Sequence, residues 1–436
     1  MSGFPANINY IPLKYICRCN AVTLAEDAAE DFEIDYVDIS SVDDLGAISK
    51  PQTMIFRNAP SRARRIVRDG DVLISTVRTY LKAIAHVPRA PENLICSTGF
   101  AVLSPQPEIV PRFLFYWVSS DAFVSEIVSR SVGVSYPAIN PSELMKLPFP
   151  LRTTSSQAAI VEFLDGELGL IDELIAKKKT LIKLLEEQKA AEISRAVTVG
   201  LNPGTARKPS DFDWLGSIPL HWNVVPLKFL AEVQSGVTVG KKHDVSEILE
   251  SRPYLRVANV QNGYLDLEDI ATIEISGRDT AQYELRPGDV VVTEGGDFDK
   301  LARGYVWNGE IAGCLHQNHI FAVRPNQKKL RPTFLAALMT SLYGRNYFTA
   351  TSVQSTNLAC TNRFKLRGFP VPLPMLEEQD TICQTLDVSS IRFQKLTQQL
   401  RSTIERLREF RSALITAAVT GQLNLREHEK KMEALV

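Results

Sequence analysis

No apolar run in the sequence approaches the roughly 18 residues a bilayer-spanning helix needs, which argues against a membrane protein. The first twenty residues carry Pro5, Asn7, Asn9 and Pro12 in place of a basic stretch followed by an apolar one. They do not read as a secretory leader, and the expectation is a cytoplasmic protein. Cysteine is scarce: six are spread over 436 residues, none in a CxxC pair, which excludes a disulfide framework. Neither sign of charge prevails, with 49 Lys and Arg against 50 Asp and Glu. No global field would draw the molecule to nucleic acid, so any such footprint must be local.

Catalytic signatures are missing as well. There is no GxGxxG after a strand, no GxxxxGK[ST], no GxSxG and no HExxH. Ser235 to Lys242 comes nearest to a phosphate loop. It has one residue too few between its glycines, and Lys242 stands where a metal-binding hydroxyl belongs. Cys314, His316 and His319 could suggest a metal, but on a strand the first two share a face and His319 takes the other. Acidic residues between 26 and 44 read as a solvated or protein-facing surface. No metal, cofactor or catalytic residue is therefore expected.

What the chain does have is a repeat. Pro12-Leu13-Lys14-Tyr15 returns as Pro226-Leu227-Lys228-Phe229, and Arg68-Asp69-Gly70-Asp71-Val72 as Arg286-Pro287-Gly288-Asp289-Val290. Phe100-Ala101-Val102 is matched to Phe321-Ala322-Val323, and Pro148-Phe149-Pro150-Leu151 to Pro370-Val371-Pro372-Leu373. The offset drifts from 214 to 222, then holds at 222 from Gln157/Gln379 to Asn202/Asn424. Each copy thus has a variable globular part followed by a length-locked part.

The globular parts read as mixed α and β. Val72 to Ser75 and Val290 to Thr293 are β-branched runs after a Gly-Asp turn, while Pro111 to Val128 and Pro332 to Phe348 carry helical apolar spacing. In the length-locked part of the second copy, Leu386, Phe393, Leu400, Leu407 and Leu414 recur every seven residues, flanked by Leu396, Ile404 and Phe410. The first copy offers Leu164, Ile171, Lys178, Leu185 and Glu192, flanked by Leu168, Leu174, Ile175, Leu181 and Ile182. The pattern is that of a coiled coil, with an amphipathic helix packed on its own domain as the alternative. A rod of about 45 residues is ~68 Å long, whereas the connector Leu201 to Asp213 spans at most ~45 Å. The second helix should then run back beside the first. The expected fold class is α+β: two mixed α/β domains joined by two long antiparallel coiled-coil helices, with a pseudo-two-fold internal repeat.

Charge is concentrated locally. Between Phe56 and Ala90 lie Arg57, Arg62, Arg64, Arg65, Arg68, Arg78, Lys82 and Arg89 against Asp69 and Asp71, a net excess of six positive charges. Such a patch can neutralise phosphates, and arginine can read guanine edges; a solvated surface cluster is the plainer alternative. The second copy offers Lys241 and Lys242 in a Gly-flanked loop, then Gly295 to Gly304 with Lys300 and Arg303. The candidate DNA-binding residues are Arg62, Arg64, Arg65, Arg78, Thr79, Tyr80, Lys82, Lys241, Lys242, Lys300 and Arg303. The candidate reading loops are 76–84 and 294–304, with 22–34, 235–247, 131–140 and 351–359 beside them.

The junction Asp213-Trp214-Leu215-Gly216-Ser217-Ile218-Pro219-Leu220-His221-Trp222, followed by Pro226-Leu227-Lys228, resembles the central segment of type I restriction-modification specificity subunits. Pro370 to Pro374 with Leu376-Glu377-Glu378-Gln379 is similar to that family's helix-entry motif, and Ala417-Ala418-Val419-Thr420-Gly421 to its helix-exit motif. The first copy departs from it, reading Thr153-Thr154-Ser155-Ser156-Gln157 at the entry. The resemblance implies a non-catalytic subunit with target-recognition domains at 1–152 and 215–374. Spacer helices would occupy 153–200 and 375–424, with a linker at 201–214 and a tail at 425–436. It further implies recognition of a bipartite, asymmetric site in double-stranded DNA. The implied partners are two methyltransferase subunits, which carry S-adenosylmethionine and modify adenines, and two ATP-dependent restriction and translocation subunits. A stand-alone two-lobed DNA-binding or scaffolding protein is the alternative.

Overall fold

The structure is a computed structural model that describes residues 8–25, 28–43, 45–212, 214–240, 248–261, 263–296, 304–355 and 358–423. It falls into two compact units, Met1–Lys179 with Arg401–Val436, and Thr180–Leu400. Both are mixed α/β. Among the described residues no helix is long and apolar enough to cross a membrane.

Each unit is built on a four-stranded antiparallel sheet. In the first, Phe100–Pro105 lies between Cys17–Cys19 and Val72–Ser75, and Ile84–His86 closes the far edge. In the second, Ile320–Pro325 lies between Ala231–Ser235 and Val290–Thr293, with Gly304–Val306 at the edge. The registers refine the match made from sequence. Val72 faces Leu103 and Val290 faces Val323, so Leu103 corresponds to Val323 and Ser104 to Arg324. Matching Val102 to Val323 was therefore off by one, a slip that reverses which face each side chain takes.

The Gly-Asp turns explain the start of the central strands. Gly70 and Gly288 adopt φ of 80° and 93°, left-handed values that favour glycine. The following aspartates fold back, Asp71 Oδ2 accepting from the Arg68 amide at 2.7 Å and Asp289 Oδ2 from the Arg286 amide at 2.9 Å. Both carboxylates are buried, and the corrected register supplies their second partner. Ser104 Oγ donates to Asp71 at 2.6 Å; Arg324 donates to Asp289 through Nε at 2.7 Å and Nη2 at 2.6 Å. Burial raises the Asp71 carboxyl above its ordinary range against the pull of these donors.

In each unit one short helix packs on the sheet and a second packs on the first: Pro111–Ser119 then Asp121–Arg130 in the first unit, Pro332–Thr340 then Leu342–Thr351 in the second. Buried Ser120 and Ser341 cap the second helix of each pair, accepting from the Phe123 and Gly344 amides. The long helices run Thr154–Val199 and Leu376–Val419. Each begins with a buried glutamine bolted to its lobe. Gln157 Oε1 accepts from Val110 N at 2.9 Å while its amide donates to Arg152 O; Gln379 Oε1 accepts from Arg331 N at 2.8 Å while its amide donates to Lys329 O and Pro374 O. The divergent entry of the first copy thus keeps the one side chain that makes the joint.

Within each unit the segments of the two long helices run antiparallel. In the first, Arg411 Nε reaches Asp172 Oδ1 at 3.0 Å, and Gly421 lies against Arg152. In the second, Gln188 and Glu192 share a groove with Ser389 and Phe393, and Gly200 lies near Glu378. In the first unit Leu164 and Ile171, and Leu168 and Ile175, are buried at the expected seven-residue spacing, with Ile160 one turn before them. Four of the expected flanking positions, Leu174, Leu181, Leu396 and Phe410, are exposed instead.

Candidate nucleic-acid interface

The central strand of each lobe ends in a loop held by the same hydrogen-bond frame. In the first lobe the Thr76 amide donates to Gly99 O at 2.8 Å and Thr76 O accepts from Ile139 N at 2.9 Å. In the second, the Glu294 amide donates to His319 O at 2.9 Å and Glu294 O accepts from Thr361 N at 2.8 Å. The frame joins the two loops expected to read DNA. Val77 and Val132 both bridge Ala138 in the first lobe, and Gly295–Gly296 pairs with Leu358–Cys360 in the second.

What the frame displays differs. Two residues past Thr76 stands Arg78; two past Glu294 stands Gly296. Arg78 adopts φ 50°, a left-handed conformation costing a side-chain-bearing residue roughly 1–2 kcal/mol. Its amide donates to Pro137 O at 2.8 Å, and its guanidinium lies 4.2 Å from the centre of the Tyr136 ring. Stacking fixes the plane of the guanidinium, as bidentate contact with a base edge requires. Exposed Val132 and Val134 share the loop of its stacking partner Tyr136, and exposed Tyr80 and Leu81 follow Arg78 in its own loop. An exposed apolar cluster next to a fixed cation marks an interaction surface.

The other candidate residues have varied surroundings. Arg62 pairs with Asp38 at 2.9 Å, and Arg64 lies 4.8 Å from the centre of the Phe56 ring. Arg65 is half-buried on the strand Ala63–Ile66, whose neighbour carries Cys96. Thr79 is buried. Lys82 is paired within the unit: its Nζ donates to Asp121 Oδ1 at 2.5 Å and to Ser412 Oγ at 2.9 Å. The basic segments meet at Thr98 and Gly99, whose amide and carbonyl bond Arg62 O and Thr76 N respectively. Lys241, Lys242, Lys300 and Arg303 lie outside the described residues. Tyr136 and Val134 fall within the candidate loop 131–140 without being named individually, and Gly133, with φ 113°, marks its tip.

Among the described residues no group of His, Cys, Asp and Glu could hold a metal. His316 is fully buried with Nδ1 2.8 Å from Ile320 O, and burial pushes it down to about 4. His319 is exposed and bonds Glu294 at 2.7 Å. The Trp214 to Trp222 junction ends in a packed joint: buried Trp222 donates from Nε1 to Glu378 Oε2 at 3.0 Å, and the His221 ring nitrogen Nε2 lies 2.9 Å from the same oxygen.

Comparison with known proteins places this geometry. Residues 219–406 match the family model described as the type I restriction modification DNA specificity domain. A putative type I restriction enzyme MjaX specificity subunit from Methanocaldococcus jannaschii is 25% identical over 221 residues, half of this chain and half of that protein. The match therefore spans about half the length of that archaeal relative. The type I restriction enzyme EcoKI specificity subunit of Escherichia coli is 22% identical over 337 residues, covering 75% of this chain and 69% of that protein. A solved structure titled for complex assembly and conformational transition of the type I R-M system shares the fold. Its TM-score is 0.68 at 24% identity, over 96% of this chain and 99% of the other.

Proposed function

We propose that this chain, whose residues 219–406 match the type I restriction modification DNA specificity domain, is the sequence-reading subunit of a type I restriction-modification complex. Two target-recognition domains, 1–152 and 215–374, each bind one half of a bipartite, asymmetric site in double-stranded DNA. Helices 153–200 and 375–424 act as the ruler for the unread spacer, with 201–214 as linker and 425–436 as tail. Bound methyltransferase subunits, two per chain, modify adenines; restriction and translocation subunits, also two, cleave and move DNA with ATP. The chain itself contributes recognition and no catalysis, and works in the cytoplasm, where its DNA lies.

One observation carries this reading: a single hydrogen-bond frame, made twice, that presents Arg78 in one copy and Gly296 in the other. Equal frames with unequal reading residues suit two unlike half-sites. Arg78 is the sharpest base contact in the first, through the O6 and N7 edge of guanine. Arg62, Arg64 and Arg65 supply nearby positive charge for phosphates, and Lys241, Lys242, Lys300 and Arg303 are assigned the same role in the second.

The test is co-purification followed by an activity assay. Tagged chain should retain a methyltransferase subunit encoded in the same genome, and only the mixture should methylate adenine. Stable DNA binding with no retained methyltransferase would favour the stand-alone binder, and methylation or cleavage by the chain alone would overturn the non-catalytic assignment.

A further inference from the structure

We propose that Lys82 is a positioning residue, which clasps the first reading loop to the end of the second long helix rather than contacting DNA phosphate. The inference rests on the reading of the first lobe given above. Its ammonium is already engaged, 2.5 Å from Asp121 Oδ1 and 2.9 Å from Ser412 Oγ. Ser412 Oγ lies 2.9 Å from both Asp121 oxygens, and the Asp121 amide donates to Thr416 Oγ1 at 3.0 Å. Lysine, aspartate and two hydroxyl residues one helical turn apart thus close one network within the first unit.

Backbone geometry says what the network is for. Thr79–Leu81 forms a single 3-10 turn between Arg78 and Lys82, both left-handed, at φ 50° and 54°. Two such residues in five persist only where their surroundings over-determine them. At the Arg78 end the restraints are Pro137 O and the Tyr136 ring; at the Lys82 end the side-chain restraint is the clasp. Releasing one end lets the turn relax toward ordinary conformations and carries Arg78 off its stacked position. By sequence, the repeat places Leu342 where Asp121 stands and Ala190 where Ser412 stands, so the second copy lacks both partners of the clasp.

Salt dependence separates positioning from phosphate contact. Each neutralised phosphate contributes about 0.9 to the slope of log affinity against log salt. The assay measures binding of the full chain, with its methyltransferase partner, to duplexes carrying the methylated site and single-base variants of each half. Lys82→Met should cut discrimination in the first half-site about tenfold while leaving the salt slope and the second half-site unchanged. Asp121→Asn and the milder Ser412→Ala should do the same in smaller measure. A slope reduced by about 0.9 with discrimination intact would make Lys82 a phosphate contact, and tighter, more salt-sensitive binding by Asp121→Asn would say so independently. Unchanged behaviour in all three variants also overturns the clasp. If the wild-type complex recognises no bipartite site, the preceding reading fails instead.

Discussion

Arg78→Gly separates reading from folding. The substitution removes a left-handed strain of roughly 1–2 kcal/mol. Against that it forfeits a half-exposed cation–π contact with Tyr136 worth about 0.5–1 kcal/mol, and it adds unfolded-state freedom costing about 0.5–1 kcal/mol. These contributions cancel to within about 1 kcal/mol, so the melting temperature of the first unit should move by no more than about 2–4 °C. Recognition has no such compensation. A lost bidentate arginine–guanine contact is worth about 1–3 kcal/mol, which is roughly 5- to 150-fold in discrimination at one base pair. Arg78→Ala should show the same loss with lower stability, since alanine keeps the strain and drops the stack. The assay pairs thermal unfolding with competition binding against duplexes altered in one half-site at a time. Retained discrimination in Arg78→Gly refutes the assigned base contact. Equal loss in both half-sites refutes the division into two independent readers.

Two further outcomes concern stability. Gln379→Leu leaves the Arg331 amide, Lys329 O and Pro374 O without their partner, and should cost about 2–4 kcal/mol; a denaturation midpoint unchanged in the second unit would show that the glutamine joint is dispensable. His316 falls from its ordinary 6.5 to about 4, so between those pH values the unfolded chain binds a proton that the folded chain refuses. Stability of the second unit should therefore decline as pH drops from 6.5 to 4, by about 3 kcal/mol, and His316→Gln should lose that dependence when compared by urea titration across the window. Identical pH profiles for the two proteins would contradict it.

The architecture was legible in sequence because the repeat falls on residues that geometry dictates. Gly70-Asp71 and Gly288-Asp289 are needed for a left-handed turn with a folded-back carboxylate, and Gln157 and Gln379 for a buried joint; chance rarely preserves such pairs. The register was misread by one because Phe-Ala-Val matches Phe-Ala-Val by letter, whereas burial of Asp71 and Asp289 aligns Ser104 with Arg324. Counting charges found the basic segment of the first lobe but could not tell which cations were already paired. Asp38 lies 24 residues from Arg62, and Ser412 lies 330 from Lys82. The flanking apolar positions Leu174, Leu181, Leu396 and Phe410 are exposed, since periodicity marks an apolar face without saying how far its cover extends.

The most direct measurement is a map of methylated adenines in the genome of cells that carry this chain with its methyltransferase. The account predicts one motif made of two dissimilar half-sites separated by an unread gap of fixed length. A perfect palindrome, or a single uninterrupted recognition sequence, would contradict it.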